Sequence, residues 1–274
     1  MQGANLNDIR ESFESARSAK GRSSILNNMG ANAAPSSGQP NDNFEIHKLR
    51  SSARDHKEPQ VRDNDLSDVV SLHMPDGSTY EGTVDKQTQL KHGFGTQIWP
   101  DAAKYVGEWR DGKAEGKGTF YHSNGDLFEG QFKQDKANGQ GTYRHKSGQT
   151  YQGGWVDDLQ EGQGTEILQD GSIYEGAFHN GMKHGQGVYK WVDGTKYNGE
   201  WKFNFIDGQG IYEWPDGRRY EGGWKKNKLH VRGVYSWPDG RKYDGEYDED
   251  KKHGFGIYIW PDGKKYEGYW ANGK

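Results

Sequence analysis

Three histidines stand in one motif, Lys-His-Gly, at His92, His184 and His253. Imidazoles suit metal ligation and proton transfer near neutral pH. Both kinds of chemistry need side chains that converge on one point. These three instead recur at a single position of a longer period, so the expectation is three solvated turn residues. The carboxylates of the repeated Asp-Gly and Tyr-Glu-Gly segments read the same way, as turn and surface groups. Gly-x-Gly recurs as well, but without the strand and helix context that makes it a phosphate cradle. No Ser, His and Asp form a catalytic constellation. The chain has no Cys, which excludes thiol catalysis, disulfides and Cys-based zinc sites. The expectation is a protein with no catalytic, cofactor-binding or metal-binding residues, and not an enzyme.

The other residues with chemistry to offer are aromatic. The 274 residues include 10 Trp, 16 Tyr and 10 Phe beside 41 Gly. The mean hydropathy of -1.18 belongs to a chain too polar for a thick aliphatic core, yet disordered chains are poor in aromatics. The conflict resolves near residue 70. Residues 1-70 hold two aromatics, Phe13 and Phe44, and every Trp and Tyr lies beyond them.

Beyond residue 70 the chain repeats. Aromatic-x-Gly triplets begin at Tyr80, Tyr105, Phe128, Tyr151, Tyr174, Tyr197, Tyr220, Tyr243 and Tyr266. The first interval is 25 residues and the others are 23. Another ring usually follows four residues on, as at Trp109, Trp155, Trp201 and Trp270. Then comes Gly-x-Gly, as at Gly208 and Gly210; in the seventh unit Val231 replaces the first of these glycines. A fixed period of this kind marks a stack of identical supersecondary units.

Each unit reads as two short strands. Alternation with period two puts Tyr197, Gly199 and Trp201 on one face of the first strand. It puts Gly208, Gly210, Tyr212 and Trp214 on one face of the second. Trp-Pro-Asp-Gly segments at 214-217, 237-240 and 260-263 supply one turn. Pairs such as Asp111-Gly112 and Asn180-Gly181 supply the other. Rings are expected to lie over glycines, filling the space a Cβ would occupy. The predicted fold is all-β: an elongated, single-layer antiparallel meander of tandem 23-residue hairpins over 71-274. It has about nine units, the last incomplete, behind a mostly irregular arm at 1-70.

The recurring pattern Tyr-Glu-Gly-x-Trp, Gly-x-Gly-x-Tyr-x-Trp, Asp-Gly is similar to the MORN repeat, most closely over 174-265. Departures fall in the earlier units. Gln97 and Glu166 stand where a second-strand aromatic is usual; His122, His145 and Leu168 stand where later units have Trp. The resemblance implies a scaffold. Family members organise cytoskeletal assemblies, including radial spokes and other complexes of motile cilia. The expected setting is therefore cytoplasm and cytoskeleton, in particular the axoneme of a cilium or flagellum. Other members tether membranes through phosphoinositides or target lipid kinases, and these are the alternatives.

An uncovered aromatic face would grip a partner helix or extended peptide, as one subunit of a multi-protein assembly. The densest later rings are the candidates: Trp191, Tyr212, Trp214, Tyr235, Trp237, Tyr258 and Trp260. Lys225, Lys226 and Lys228 are the candidate contact for an acidic partner or anionic lipid. In the arm, Leu6, Ile9 and Phe13 follow helical spacing and suggest a short helix near 8-20 that docks on a partner. The net charge of -4 argues against nucleic-acid binding. No apolar run is long enough for a transmembrane helix. Asp8, Glu11 and Glu14 make the first thirty residues unlike a signal peptide.

Overall fold

In the computed structural model residues 65-274 are described. They form eighteen antiparallel strands, from Val70–His73 to Lys265–Trp270, in one open sheet. Each strand pairs with the strand before and after it in sequence, so the sheet is a simple meander. The tandem-hairpin expectation therefore holds. Leu66 adds an isolated bridge to Asp85 ahead of the first strand.

One repeat shows why the sequence folds this way. Lys196–Lys202 and Phe205–Glu213 pair across the turn Phe203-Asn204. Both turn residues have positive φ, at 50° and 66°. This is the mirror-image turn whose twist suits a hairpin. Asn and Asp tolerate that conformation best among non-glycine residues. Here they also join adjacent turns. The side-chain oxygens of Asp135, Asp158, Asn227 and Asp250 each accept a 2.7 Å hydrogen bond from a backbone N–H 21 residues earlier.

The outer turns link one repeat to the next. In Trp214–Gly217 the glycine N–H donates to the Trp214 carbonyl at 3.0 Å. Gly217 has φ +86°, and a Cβ there would lie 3.2 Å from the Pro238 ring of the following turn. Trp214 thus opens the turn rather than ending the strand, and the second strand begins earlier than the alternation suggested, at Phe205.

The glycines serve two purposes, which corrects the expectation that all of them lie beneath rings. Gly199 pairs with Gly210, but the next pair is Trp201 with Ile206. The second strand therefore bulges between them, at Asp207, Gly208 and Gln209. Gly208 carries φ +117° at this bulge. Gly210 instead lies under the Tyr197 ring: a Cβ there would meet Oη at 2.3 Å and Cε2 at 2.5 Å. Val231 occupies the bulge position of its unit at φ +63°, a strained conformation for a β-branched residue.

Candidate interaction surface

The core is one face of the sheet, built as two parallel rows of side chains. The first row contains the repeated Tyr and the ring four residues later. They meet edge to face along the whole ribbon. Tyr80 meets Trp109 at 5.5 Å and 85°, and Tyr105 meets Trp109 at 5.0 Å and 86°. The contacts continue to Tyr243–Trp270 and Tyr266–Trp270. Such pairs add about 0.5–1.5 kcal/mol each beyond the area they bury.

This row also satisfies the backbone. Tyr197 Oη donates to the Glu200 carbonyl at 3.0 Å, and Tyr80, Tyr105, Tyr151, Tyr174, Tyr220 and Tyr243 bond in the same way. The accepting carbonyl belongs to the residue opposite the bulge. Trp109 and Trp155 Nε1 donate to the Gly95 and Gly141 carbonyls at 3.1 Å. Phe128 alone in this row of aromatic-x-Gly starts lacks the hydroxyl. Burial raises the tyrosines above their usual range, Tyr80 and Tyr243 to about 12.

The second row contains the second-strand aromatic and the turn Trp. From Tyr189 to Trp260 it is a continuous stack of rings. Tyr189–Trp191, Tyr212–Trp214 and Tyr235–Trp237 lie 4.4–4.5 Å apart, and Trp191–Tyr212 and Trp214–Tyr235 lie 5.3 Å apart. Arg218 and Arg241 lie over the Trp214 and Trp237 rings, at 5.2 and 5.3 Å. Each is also paired with the turn aspartate, Asp216 or Asp239.

The predicted partner-binding rings fall at different depths. Trp191, Tyr212, Trp214 and Tyr235 are buried by their neighbours, Tyr212 to 1% exposure. Trp237 and Tyr258 are half-buried, and Trp260 is 40% exposed. The accessible part of the row is its C-terminal end. Leu6, Ile9 and Phe13 lie outside the described residues. Lys225, Lys226 and Lys228 are exposed around a hairpin turn, with Lys228 3.1 Å from Glu249.

In the earlier repeats the same row is partly polar. Gln97 is buried, accepting from Lys91 Nζ at 2.5 Å and donating to Ser78 Oγ at 2.9 Å. Glu166 accepts from Gln149 at 3.0 Å and forms an ion pair with Lys183. Beside the row, the buried turn residue Asp126 accepts from Tyr143 Oη and from the Lys146 N–H. Those hydrogen bonds hold its carboxyl below the usual range despite burial.

The Lys-His-Gly histidines lie in strands rather than turns, because the second strand begins at or before them. His92 is buried and 3.6 Å from Asp111, His184 is half-buried, and His253 is exposed. Among the described residues no group of three or more His, Asp or Glu is arranged to hold a metal ion.

One set of residues escaped the sequence reading. The residue paired with the ring four after each repeat start points into the core. Ala114, Ala137, Ile206 and Leu229 fill it with buried apolar side chains. Lys91, Lys183 and Lys252 occupy the same position. They read as surface lysines by type; the period, which aligns them with Ala, Ile and Leu, was the available signal. On the opposite face a second group was missed, the exposed apolar side chains Phe94, Ile98, Tyr121 and Ile167.

No curated protein matches the chain in sequence. Among solved structures, the SAS-4 (dCPAP) TCP domain of Drosophila melanogaster, in complex with a proline-rich motif of Ana2 (dSTIL), is similar at 12% identity. The match covers 80% of this chain and 98% of that one, with a TM-score of 0.27. A catalytically inactive virginiamycin B lyase from Staphylococcus aureus with quinupristin is similar at 11% identity. That match covers 77% of this chain and 72% of the other, with a TM-score of 0.16. With TM-scores this low, neither likeness bears on activity or partners. The MORN repeat model matches residues 90–102, 105–127, 128–150, 151–173, 174–196, 197–218, 220–240 and 243–265. With eight tandem matches and the hairpin geometry behind them, this chain belongs to the MORN repeat family.

Proposed function

We propose that the protein is a non-catalytic scaffold, one subunit of a multi-protein cytoskeletal assembly, that binds partners through its second aromatic row. MORN repeats are a scaffold for protein interaction. The observation that carries the reading to particular residues is the continuous stack of rings from Tyr189 to Trp260. Stacked rings are buried as far as Tyr235, while Trp237 and Tyr258 are half-buried and Trp260 is exposed. Large rings held rigid by their neighbours lose little entropy on binding, and contiguous exposed apolar surface marks interaction sites. The proposed assembly is ciliary, in the axoneme, which follows from the kinds of complex that MORN proteins organise. The arm, with Leu6, Ile9 and Phe13, is a second proposed contact.

Crosslinking of the full chain in isolated cilia, with neighbours read by mass spectrometry, tests this. The expected crosslinks run from Lys251, Lys264 and Lys265, and from the arm, to doublet-associated proteins. Trp260→Ala with Tyr258→Ala should remove the C-terminal set. Recovery in the membrane fraction, lost on charge reversal of Lys225, Lys226 and Lys228, would overturn the scaffold reading in favour of a lipid tether.

A further inference from the structure

Lys91, Lys183 and Lys252 place an ammonium among the rings at equivalent points of three repeats. Lys91 Nζ lies 3.7 Å from the Trp109 ring centre, and Lys183 Nζ lies 5.0 Å from that of Tyr174. Both have an oxygen acceptor within the chain. Lys91 has the Gln97 amide and Lys183 has the Glu166 carboxylate, and in each case the acceptor stands where other repeats have a second-strand aromatic.

Lys252 has the rings without the acceptor. Its Nζ lies 4.4 Å from the ring centre of Tyr258, 4.7 Å from Trp270, 4.8 Å from Tyr243 and 5.6 Å from Trp237. The position equivalent to Gln97 is Tyr258, and the position equivalent to Glu166 is Tyr235. Among the described residues no carboxylate pairs with Lys252. Burial, with a smaller contribution from Arg241, lowers this lysine to about 8, as it does Lys91. Arg241 is itself tied to Asp239 at 2.7 Å. Within the described residues Lys252, Trp237, Tyr258 and Trp270 are each half-buried.

We infer that Lys252 and the rings around it form a docking point for a glutamate or aspartate side chain of an acidic peptide on a partner protein. The inference rests on the aromatic row being a partner-binding surface, and it specifies the chemistry of the occupant. The precedent is within the molecule: Glu166 places a carboxylate against the equivalent lysine, amid the equivalent rings. One ammonium framed by rings suits a single carboxylate on an apolar stem. A phosphate calls for several donors in a fork. The rings would cover the stem, and the low dielectric they create strengthens the ion pair.

The test uses the full chain and an acetylated peptide that alternates glutamate with leucine, followed by tryptophan fluorescence. The expected result is saturable binding that weakens at least tenfold with Lys252→Leu and is retained with Lys252→Arg. The same peptide with glutamine for glutamate should bind at least tenfold more weakly. Lys252→Leu reproduces the side chain already present at Leu229, so the variant should fold. Unchanged affinity in Lys252→Leu would overturn the inference. If Trp260→Ala with Tyr258→Ala then still weakened binding, the aromatic reading would survive alone; if it did not, both would fall. Binding to phosphatidylserine vesicles but not to the peptide would also overturn it.

Discussion

The repeats before residue 170 and those after it share one backbone and one first row of rings. They differ in the second row. In the early repeats it contains Gln97 and Glu166, both buried and hydrogen-bonded. In the later repeats it is a stack of Tyr and Trp from Tyr189 to Trp260. The difference separates two kinds of constraint. A first-row ring covers a glycine and packs on neighbouring rings, and in every complete unit but that of Phe128 its hydroxyl also bonds a carbonyl opposite the bulge, so an aromatic ring is required there. A second-row side chain has only to fill space and satisfy itself. That row can therefore be a polar network in one region and a partner-facing stack in another.

The sharpest way to break the comparison is at Glu166. Glu166→Leu leaves Lys183 buried without its partner, both side chains being about 12% exposed. The expected cost is about 3–5 kcal/mol, read as a lower denaturation midpoint. Glu166→Tyr combined with Lys183→Leu gives the early region the composition of the later one and should restore most of the loss. If the single variant is neutral, the polar network is not structural.

Gly210→Ala tests the first row, where the regions should agree. Its Cβ would overlap Tyr197, and the expected loss is about 3 kcal/mol. Gly118→Ala, beneath Tyr105 in an early repeat, should cost a similar amount. Loss in one region only would mean that the shared first row is not equivalent.

Val231→Gly should stabilise the later region by about 1–2 kcal/mol, by relieving the left-handed conformation of a β-branched residue. Amide exchange should slow in the strands Arg219–Lys225 and Lys228–Ser236. Unchanged protection there would mean that the bulge stores no strain.

The smallest effect is on pH dependence. Burial holds Lys91 and Lys252 at about 8, against roughly 10.4 for a free lysine. Between those values the unfolded chain binds more protons, so stability rises with pH. Tyr80 and Tyr243 are pushed up to about 12, against about 10 when unfolded. Above that lower value the unfolded chain loses protons first, and stability falls. Thermal midpoints should therefore peak in between. Lys91→Leu and Lys252→Leu should each flatten the rising limb, one in each region, while tyrosinate absorbance reports the falling limb.

Much of this was legible in the sequence because it is local or periodic. The hairpins, both kinds of turn and the burial of Tyr197 and Trp201 follow from alternation and turn chemistry within one 23-residue unit. The bulge was not legible. Alternation aligns Gly208 with Gly210, and only the cross-strand register separates a glycine in a bulge from one beneath a ring. The histidines were misplaced for the same reason. The arm candidates Leu6, Ile9 and Phe13 lie outside the described residues.

The sequence by itself determined a single-layer ribbon of hairpins, with aromatic rings and glycines on a common face, because periods of two and of 23 residues leave few other arrangements. Tertiary structure decided which members of that face are reachable and which are charged. Trp214 is buried and Trp260 exposed although their repeats read alike, because Tyr235 of the adjoining hairpin packs on Trp214. Among the described residues Lys183 has a carboxylate partner and Lys252 has none, because Glu166 lies a strand away from the first and a tyrosine takes its place beside the second. Burial and pairing are properties of neighbours across the sheet, and a residue's own repeat does not contain them.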